Sequence, residues 1–329
     1  VTRTAVDAEA LAAVVSAKLG APHRVEHLAR LSGGASRETW SFTAVHADGH
    51  RAALVLRRDP PTGTAIAPPV DECALIEAAA AAGVPVAPVR FRLTPDDGLG
   101  SGFVSDFVGG ETLGRRIVHH ERFADARVGL AAECGRILAA LHAVPTGEVP
   151  LAPPAAGRSS AGVQLDLFEQ VLDGYDVARP VLELALRWLR TNAPTEPRRV
   201  VVHGDFRLGN LLVEPDGVRA VLDWELAHLG DPAEDVGWLC TRSWRFGGAG
   251  RVGGVGDLGD LLDAYRAASG EVIDPDHVRY WEVLGNLRWA VIAMIQAFSH
   301  LQGTRRSVEL AAIGRRVAEA EHDLMELLG

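Results

Sequence analysis

The stretch that decides the reading is VVHGDFRLGNLLVEPDGVRAVLDWE, residues 201–225. Two apolar runs, 210–214 and 218–222, flank Pro215-Asp216-Gly217, which is a turn signal. A hairpin folded about residue 216 places position 210 opposite 222, so Asn210 and Asp223 meet at its open end. Asp205 lies five residues before Asn210, in the loop that enters the first strand. An amide oxygen beside a carboxylate suits a hard, oxygen-seeking cation such as Mg²⁺, with phosphates filling its other positions. A second carboxylate close by can take a proton from an attacking hydroxyl. Each residue alone reads equally well as a loop cap or a turn residue. Together, at offsets of 5 and 18 from Asp205 and behind a buried-strand run, they read as a site.

Outward from this stretch, the 329 residues divide by pattern. Residues 5–19 read as an amphipathic helix. Thr39–Val45 alternates and Ala52–Arg57 is an apolar run, with Asp48-Gly49 as the hairpin turn between them. A helix over 71–82 ends at Gly83, and runs at 88–93 and 102–108 flank the turn at 95–98. After Gly109-Gly110 the pattern becomes helical over 124–143. Residues 145–163 read as a loop, 164–174 and 180–192 as helices, 199–223 as a β-rich island, and the remainder from 232 as mainly helical. The expected architecture is α+β in two lobes: a β-rich N-terminal lobe over 1–104, a hinge over 105–112, and a helical lobe over 113–329.

Composition narrows the function classes. Basic and acidic residues number 33 and 43, a net charge of −10, which makes a poor phosphate-backbone binder and argues against nucleic acid. Lys18 is the sole lysine, so a cation inside the fold must be arginine, which cannot shuttle protons. Three scattered cysteines give neither a disulfide framework nor a Cys-ligated zinc site. Val1–Leu19 lacks a signal-peptide pattern, and the apolar run Trp289–Ile295 is too short to span a bilayer. A cytoplasmic protein without a membrane partner is the expectation.

His203-Gly-Asp205, four residues, then Asn210, followed by Asp223-Trp224, resembles the catalytic and metal-binding loops of protein-kinase-like phosphotransferases. Glycine after the histidine is the pattern of the aminoglycoside phosphotransferase and choline kinase branch. The longer matches, Leu54–Pro61 and Asp223–Trp238, are most similar to the kinase-like domain associated with acyl-CoA dehydrogenases. The resemblance covers most of residues 25–315 and implies a protein-kinase-like fold and ATP-dependent phosphoryl transfer to a hydroxyl. It implies Asp205 as base or hydroxyl-orienting group, Arg207 near the γ-phosphate, and Asn210 and Asp223 as holders of Mg²⁺. A non-catalytic nucleotide-binding module and an antibiotic-directed phosphotransferase are the alternatives.

The nucleotide grip is expected from the first hundred residues. Ser32, Gly33, Gly34 and Ser36 form a degenerate glycine tract whose backbone can cradle phosphates. Arg57 stands where related kinases carry a phosphate-binding lysine, and its fork can also reach a carboxylate. Glu72 shares the inward helix face with Leu75, Ile76 and Ala79, where a carboxylate needs a partner. The resemblance places Asp106 and Phe107 at the adenine edge. Asp231 to Glu234 reads as a capped helix start, and Asp235 as a brace for the catalytic loop. His203 reads as loop-fixing, and His228 and Trp238 as packing residues. On the acceptor side, Trp281, Leu284, Arg288, Ile292 and Ile295 make a helical stripe with an arginine inside it. Glu282 is the only acid between Tyr280 and Gln302. These features predict a neutral or anionic small-molecule acceptor with an apolar portion, a hydroxyacyl-CoA-like compound among those the resemblance implies.

Overall fold

The computed structural model describes residues 6–31, 37–59, 70–195 and 198–329. The first helix, α1 (Ala8–Leu19), opens on Asp7, whose carboxylate accepts from the Glu9 and Ala10 amides, and stops at Gly20 in the left-handed region. Strands β1 (His23–Arg30), β2 (Glu38–His46) and β3 (Arg51–Arg58) follow. Then come α2 (Glu72–Ala81), β4 (Val89–Leu93) and β5 (Gly102–Asp106). The five strands form one antiparallel sheet in the order β1-β2-β3-β5-β4.

Alternation along β5 sorts its side chains between two cores. Val104 joins Phe42, Leu54, Leu56 and the buried face of α1 on one side of the sheet. Phe103 points the other way and joins Leu75, Ile76 and Ala79 of α2 in the main core of the molecule. Lys18 reaches Asp97 at 2.9 Å and ties the end of α1 to the β4–β5 turn.

The chain continues through α3 (Gly114–His119), α4 (Ala124–His142), α5 (Ser160–Tyr175) and α6 (Pro180–Thr191). Two small sheets come next. β6 (Val200–Val202) pairs with β9 (His228–Gly230), and between them β7 (Leu211–Glu214) and β8 (Gly217–Val221) make the expected hairpin. The segment ahead of α3 is tied to this hairpin, because Glu111 and Val213 exchange backbone hydrogen bonds at 2.9 and 3.0 Å. Last are α7 (Pro232–Cys240), α8 (Leu258–Ser269), α9 (Pro275–Leu301), α10 (Val308–Ile313) and α11 (Arg316–Leu328).

The structure departs from the sequence reading at β1 and at the start of α5. β1 was not read as a strand, because HRVEHLAR is a polar edge strand without a buried alternating face. α5 begins at Ser160, inside the stretch read as loop, because the Ser159 hydroxyl caps it by accepting from the Gly162 amide at 3.0 Å. Between α7 and α8 the chain turns through bridges Gly250↔Gly254 and Val252↔Gly256, and Gly247, Gly253 and Gly254 take positive φ, so helix gives way there. Among the described residues no helix is long and apolar enough to cross a membrane, and the three cysteines are free and buried.

α7 and α9 cross closely at Gly237. A Cβ there would lie 2.4 Å from Trp281 Cβ and 2.6 Å from the Trp281 carbonyl carbon. Gly237→Ala would gain about 1 kcal/mol in helix propensity and lose roughly 1–3 kcal/mol or more to overpacking against backbone. The expected result is a net loss of stability, read as a lower urea midpoint with an unchanged slope.

Candidate active site

The loop after β6 is fixed by buried polar groups. Gly204 takes φ +77°, and a Cβ at that position would sit 2.4 Å from the Leu226 carbonyl oxygen, so the turn demands glycine. Asp235, wholly buried on α7, accepts from the His203 amide at 2.8 Å and the Gly204 amide at 2.9 Å. Burial would raise its pKa, but hydrogen bonding from His142, 3.5 Å away, and from the loop amide outweighs it and holds the group below the usual aspartate value. His142 in turn meets the Tyr265 hydroxyl at 3.1 Å, which accepts from Arg198 at 2.9 Å. His203 accepts the Asp205 amide at Nδ1 (3.2 Å), so Nε2–H donates to the Leu222 carbonyl (3.0 Å). Burial depresses its pKa and keeps this neutral tautomer. The brace read for Asp235 and the loop-fixing role read for His203 are both visible.

Asp205 receives three donors. Its Oδ1 accepts from Trp238 Nε1 at 2.7 Å and Arg207 Nε at 3.1 Å, and its Oδ2 accepts from Asn210 Nδ2 at 2.6 Å. Asn210 Nδ2 also donates to the Asp205 carbonyl at 2.9 Å, so Oδ1 is the amide atom left for another partner. The Leu222 amide donates to the Asn210 carbonyl at 2.8 Å, which sets 210 opposite 222 and brings Asp223 to the same end of the hairpin. Asp223 itself holds φ +68°, a left-handed conformation that is costly for a non-glycine residue.

A cavity of about 480 Å³ lies between the five-stranded sheet and this hairpin. Its walls bring together Arg57, Glu72, Asp106, Phe107, Asn210 and Asp223. Arg57 donates from Nη2 to Asp223 at 2.5 Å and stands 3.5 Å from both Glu72 and Glu225. Burial acts to lower its pKa, and the charges of Glu72 and Asp223 more than reverse this, so its cation is secured. Burial raises the pKa of Glu72 against the pull of Arg57 and Arg37. The Asp106 and Phe107 amides donate to Pro88 and Ala53 carbonyls at 2.9 Å, so an adenine edge could meet only carbonyl oxygens of these two residues. Ser32, Gly33, Gly34 and Ser36 lie outside the described residues.

Asn210 and Asp223 offer two oxygen donors to one space. Among the described residues no cluster of three or more His, Cys, Asp or Glu side chains could hold a metal alone. Two protein oxygens with phosphate and water completing the shell fit Mg²⁺, which keeps waters and binds through few carboxylates.

Asp205 and Arg207 do not line the cavity, and Asp205 adjoins it through its hydrogen bond with Asn210. The Arg207 guanidinium lies over the Trp244 ring at 4.5 Å. Arg288, the arginine within the stripe, is partly exposed and stacks on Trp238 at 4.4 Å. Ile295, in the same stripe, is exposed, so the stripe is only partly core. Trp238 was read as packing but donates to Asp205, and no spacing signal marks an indole for that role. His228, also read as packing, pairs with Glu234 at 3.1 Å. Burial alone would lower its pKa, yet Glu234 lifts it to about 9.

The sheet, hairpin and helical body make a protein-kinase-like α+β fold, and residues 27–282 match the model of the phosphotransferase enzyme family. The chain belongs to that family. Among solved structures it is similar over 98% of both chains to a Ralstonia eutropha protein of the aminoglycoside phosphotransferase type, at 24% identity and a TM-score of 0.76. It is also similar to a choline/ethanolamine kinase family protein from Mesorhizobium loti, at 20% identity and a TM-score of 0.61, over 92% of this chain and 88% of that one. Mouse acyl-CoA dehydrogenase family member 10 is 49% identical over 63 residues, 18% of this chain and 6% of the relative. Human acyl-CoA dehydrogenase family member 11 is 40% identical over 60 residues, 17% of this chain and 8% of the relative. The chain therefore matches only a small part of the length of these two curated relatives.

Proposed function

We propose that this protein transfers the γ-phosphoryl group of ATP to a hydroxyl of a small molecule. The observation that carries the reading is the joining of Arg57, the 105–108 segment, Asn210 and Asp223 around one cavity, with Asp205 hydrogen-bonded to Asn210 at its edge. The nucleoside fills the space beneath β3 and β5, and its phosphates extend toward Arg57. Asn210 and Asp223 hold Mg²⁺, which when bound offsets charge on the phosphates. Asp205 orients the acceptor hydroxyl and accepts its proton, while Trp238 and Arg207 fix that carboxylate.

The surroundings of Asp205 favour a neutral or anionic acceptor with an apolar portion. Trp238, Trp244 and Trp289 form a contiguous indole wall, with ring centroids 5.1 and 4.8 Å apart. Arg207 and Arg288 lie on two of these rings. The indole N–H groups of Trp244 and Trp289 are buried without acceptors among the described residues. Glu234, the nearby acid on α7, is already paired with His228 and with Gln164 at 2.8 Å. Guanidiniums and indole donors suit oxygen-bearing groups and repel a polycation.

The test is a Mg²⁺-dependent ATP-consumption screen across hydroxylated acids, hydroxyacyl thioesters, neutral alcohols and aminoglycosides. Turnover confined to aminoglycosides would overturn the acceptor reading, and Mg·ATP binding without turnover of any compound would favour a non-catalytic module. In the same assay Arg57→Ala is expected to raise KM for ATP and weaken Mg·ADP binding, each roughly tenfold or more, the scale of a charge-assisted contact.

A further inference from the structure

Glu72 faces two guanidiniums, and they are not equivalent. Arg37, immediately ahead of β2, donates from Nη1 to Glu72 Oε1, and its Nε holds Asp59 at 2.8 Å. Arg57 comes no nearer to Glu72 than 3.5 Å, through an Nε that is buried without a hydrogen-bond partner. Its Nη2 is directed instead at Asp223. The Arg37 side chain is 13% exposed and that of Glu72 only 2%, so salt screens this pair weakly.

We propose that Arg37 is a positioning residue for nucleotide binding. It satisfies the Glu72 carboxylate, so that Arg57 is not drawn into the α2 pair and its guanidinium stays directed at the Asp223 end of the cavity. The two tasks that one cation would otherwise share, holding the helix carboxylate and meeting phosphate, are divided between two arginines. Without Arg37, Glu72 would have Arg57 as its nearest cation and would draw that fork from the Asp223 end of the cavity toward α2. This inference rests on the cavity being a nucleotide site.

The experiment measures Mg·ADP affinity by calorimetry and ligand-free stability by urea melts. It uses the intact chain, Arg37→Ala, Arg37→Gln, Glu72→Gln, Arg57→Ala and the double variants of Glu72→Gln with each arginine change. Arg37→Ala should weaken Mg·ADP binding roughly tenfold, and adding Glu72→Gln should restore it to within roughly threefold, because no carboxylate then competes for Arg57. Arg37→Gln serves if the alanine variant does not fold. Wild-type affinity in Arg37→Ala, or a double variant no tighter than the single, overturns the proposal. In ligand-free melts the coupling of Arg37 with Glu72 should exceed that of Arg57 with Glu72. Should the intact chain not bind Mg·ADP, the nucleotide reading falls, and these melts alone judge the pairing: equal couplings overturn it.

Discussion

Asp205→Asn is expected to lower phosphoryl transfer by roughly 10²–10⁴-fold, the range of a lost general base, while Mg·ADP binds within about threefold of the native affinity. The carboxylate meets Trp238, Arg207 and Asn210 with both oxygens, and of these partners only Asn210 lines the cavity that would hold the nucleotide. An asparagine keeps the size but turns an NH₂ toward one of the three donors, so one hydrogen bond is lost along with the proton acceptor. Asp223→Ala, by contrast, removes a wall of the cavity and one of two oxygen donors, and is expected to lose Mg·ADP affinity. Calorimetry on both variants separates the roles. Equal loss of affinity in the two would remove the division between an acceptor-facing and a phosphate-facing carboxylate.

The second large effect is one of stability. Asp235→Ala would leave the His203 and Gly204 amides without their acceptor and would remove the carboxylate 3.5 Å from the buried His142 ring. Each buried donor left without its acceptor costs about 1–3 kcal/mol, so the two amides together take a large part of the roughly 5–15 kcal/mol that holds an ordinary domain. Asp235→Asn keeps one acceptor oxygen and should lose less. Urea midpoints for both, with turnover measured on whatever remains folded, check the order. An Asp235→Ala variant within about 1 kcal/mol of native would show that the brace is dispensable.

Local chemistry made much of this legible in advance. Turn residues and apolar runs fixed the register of the β7–β8 hairpin, and with it the meeting of Asn210 and Asp223. Helical spacing put Glu72 on an inward face, and a capping signature located the start of α7 and hence Asp235. What stayed hidden was the pairing between distant groups. Nothing in the spacing of Arg37, Arg57 and Glu72 says which fork arrives first, because Arg37 just ahead of β2 and Arg57 on β3 are brought to one carboxylate only by the folded sheet. The indole of Trp238 read as apolar bulk since its single donor has no sequence signature. β1 escaped because an edge strand can be polar on both faces.

The bond between Lys18 and Asp97 joins α1 to the far turn of the sheet with the chain's sole side-chain amine. Every other basic residue is an arginine, whose guanidinium stays protonated and is a poor nucleophile. Reactive thioesters, aldehydes and activated esters therefore meet a surface with almost nothing to acylate or condense with. Among side chains an amine-directed probe would modify that one junction, and the reactivity of Lys18, located by peptide mapping, would measure how often α1 lets go of the β4–β5 turn.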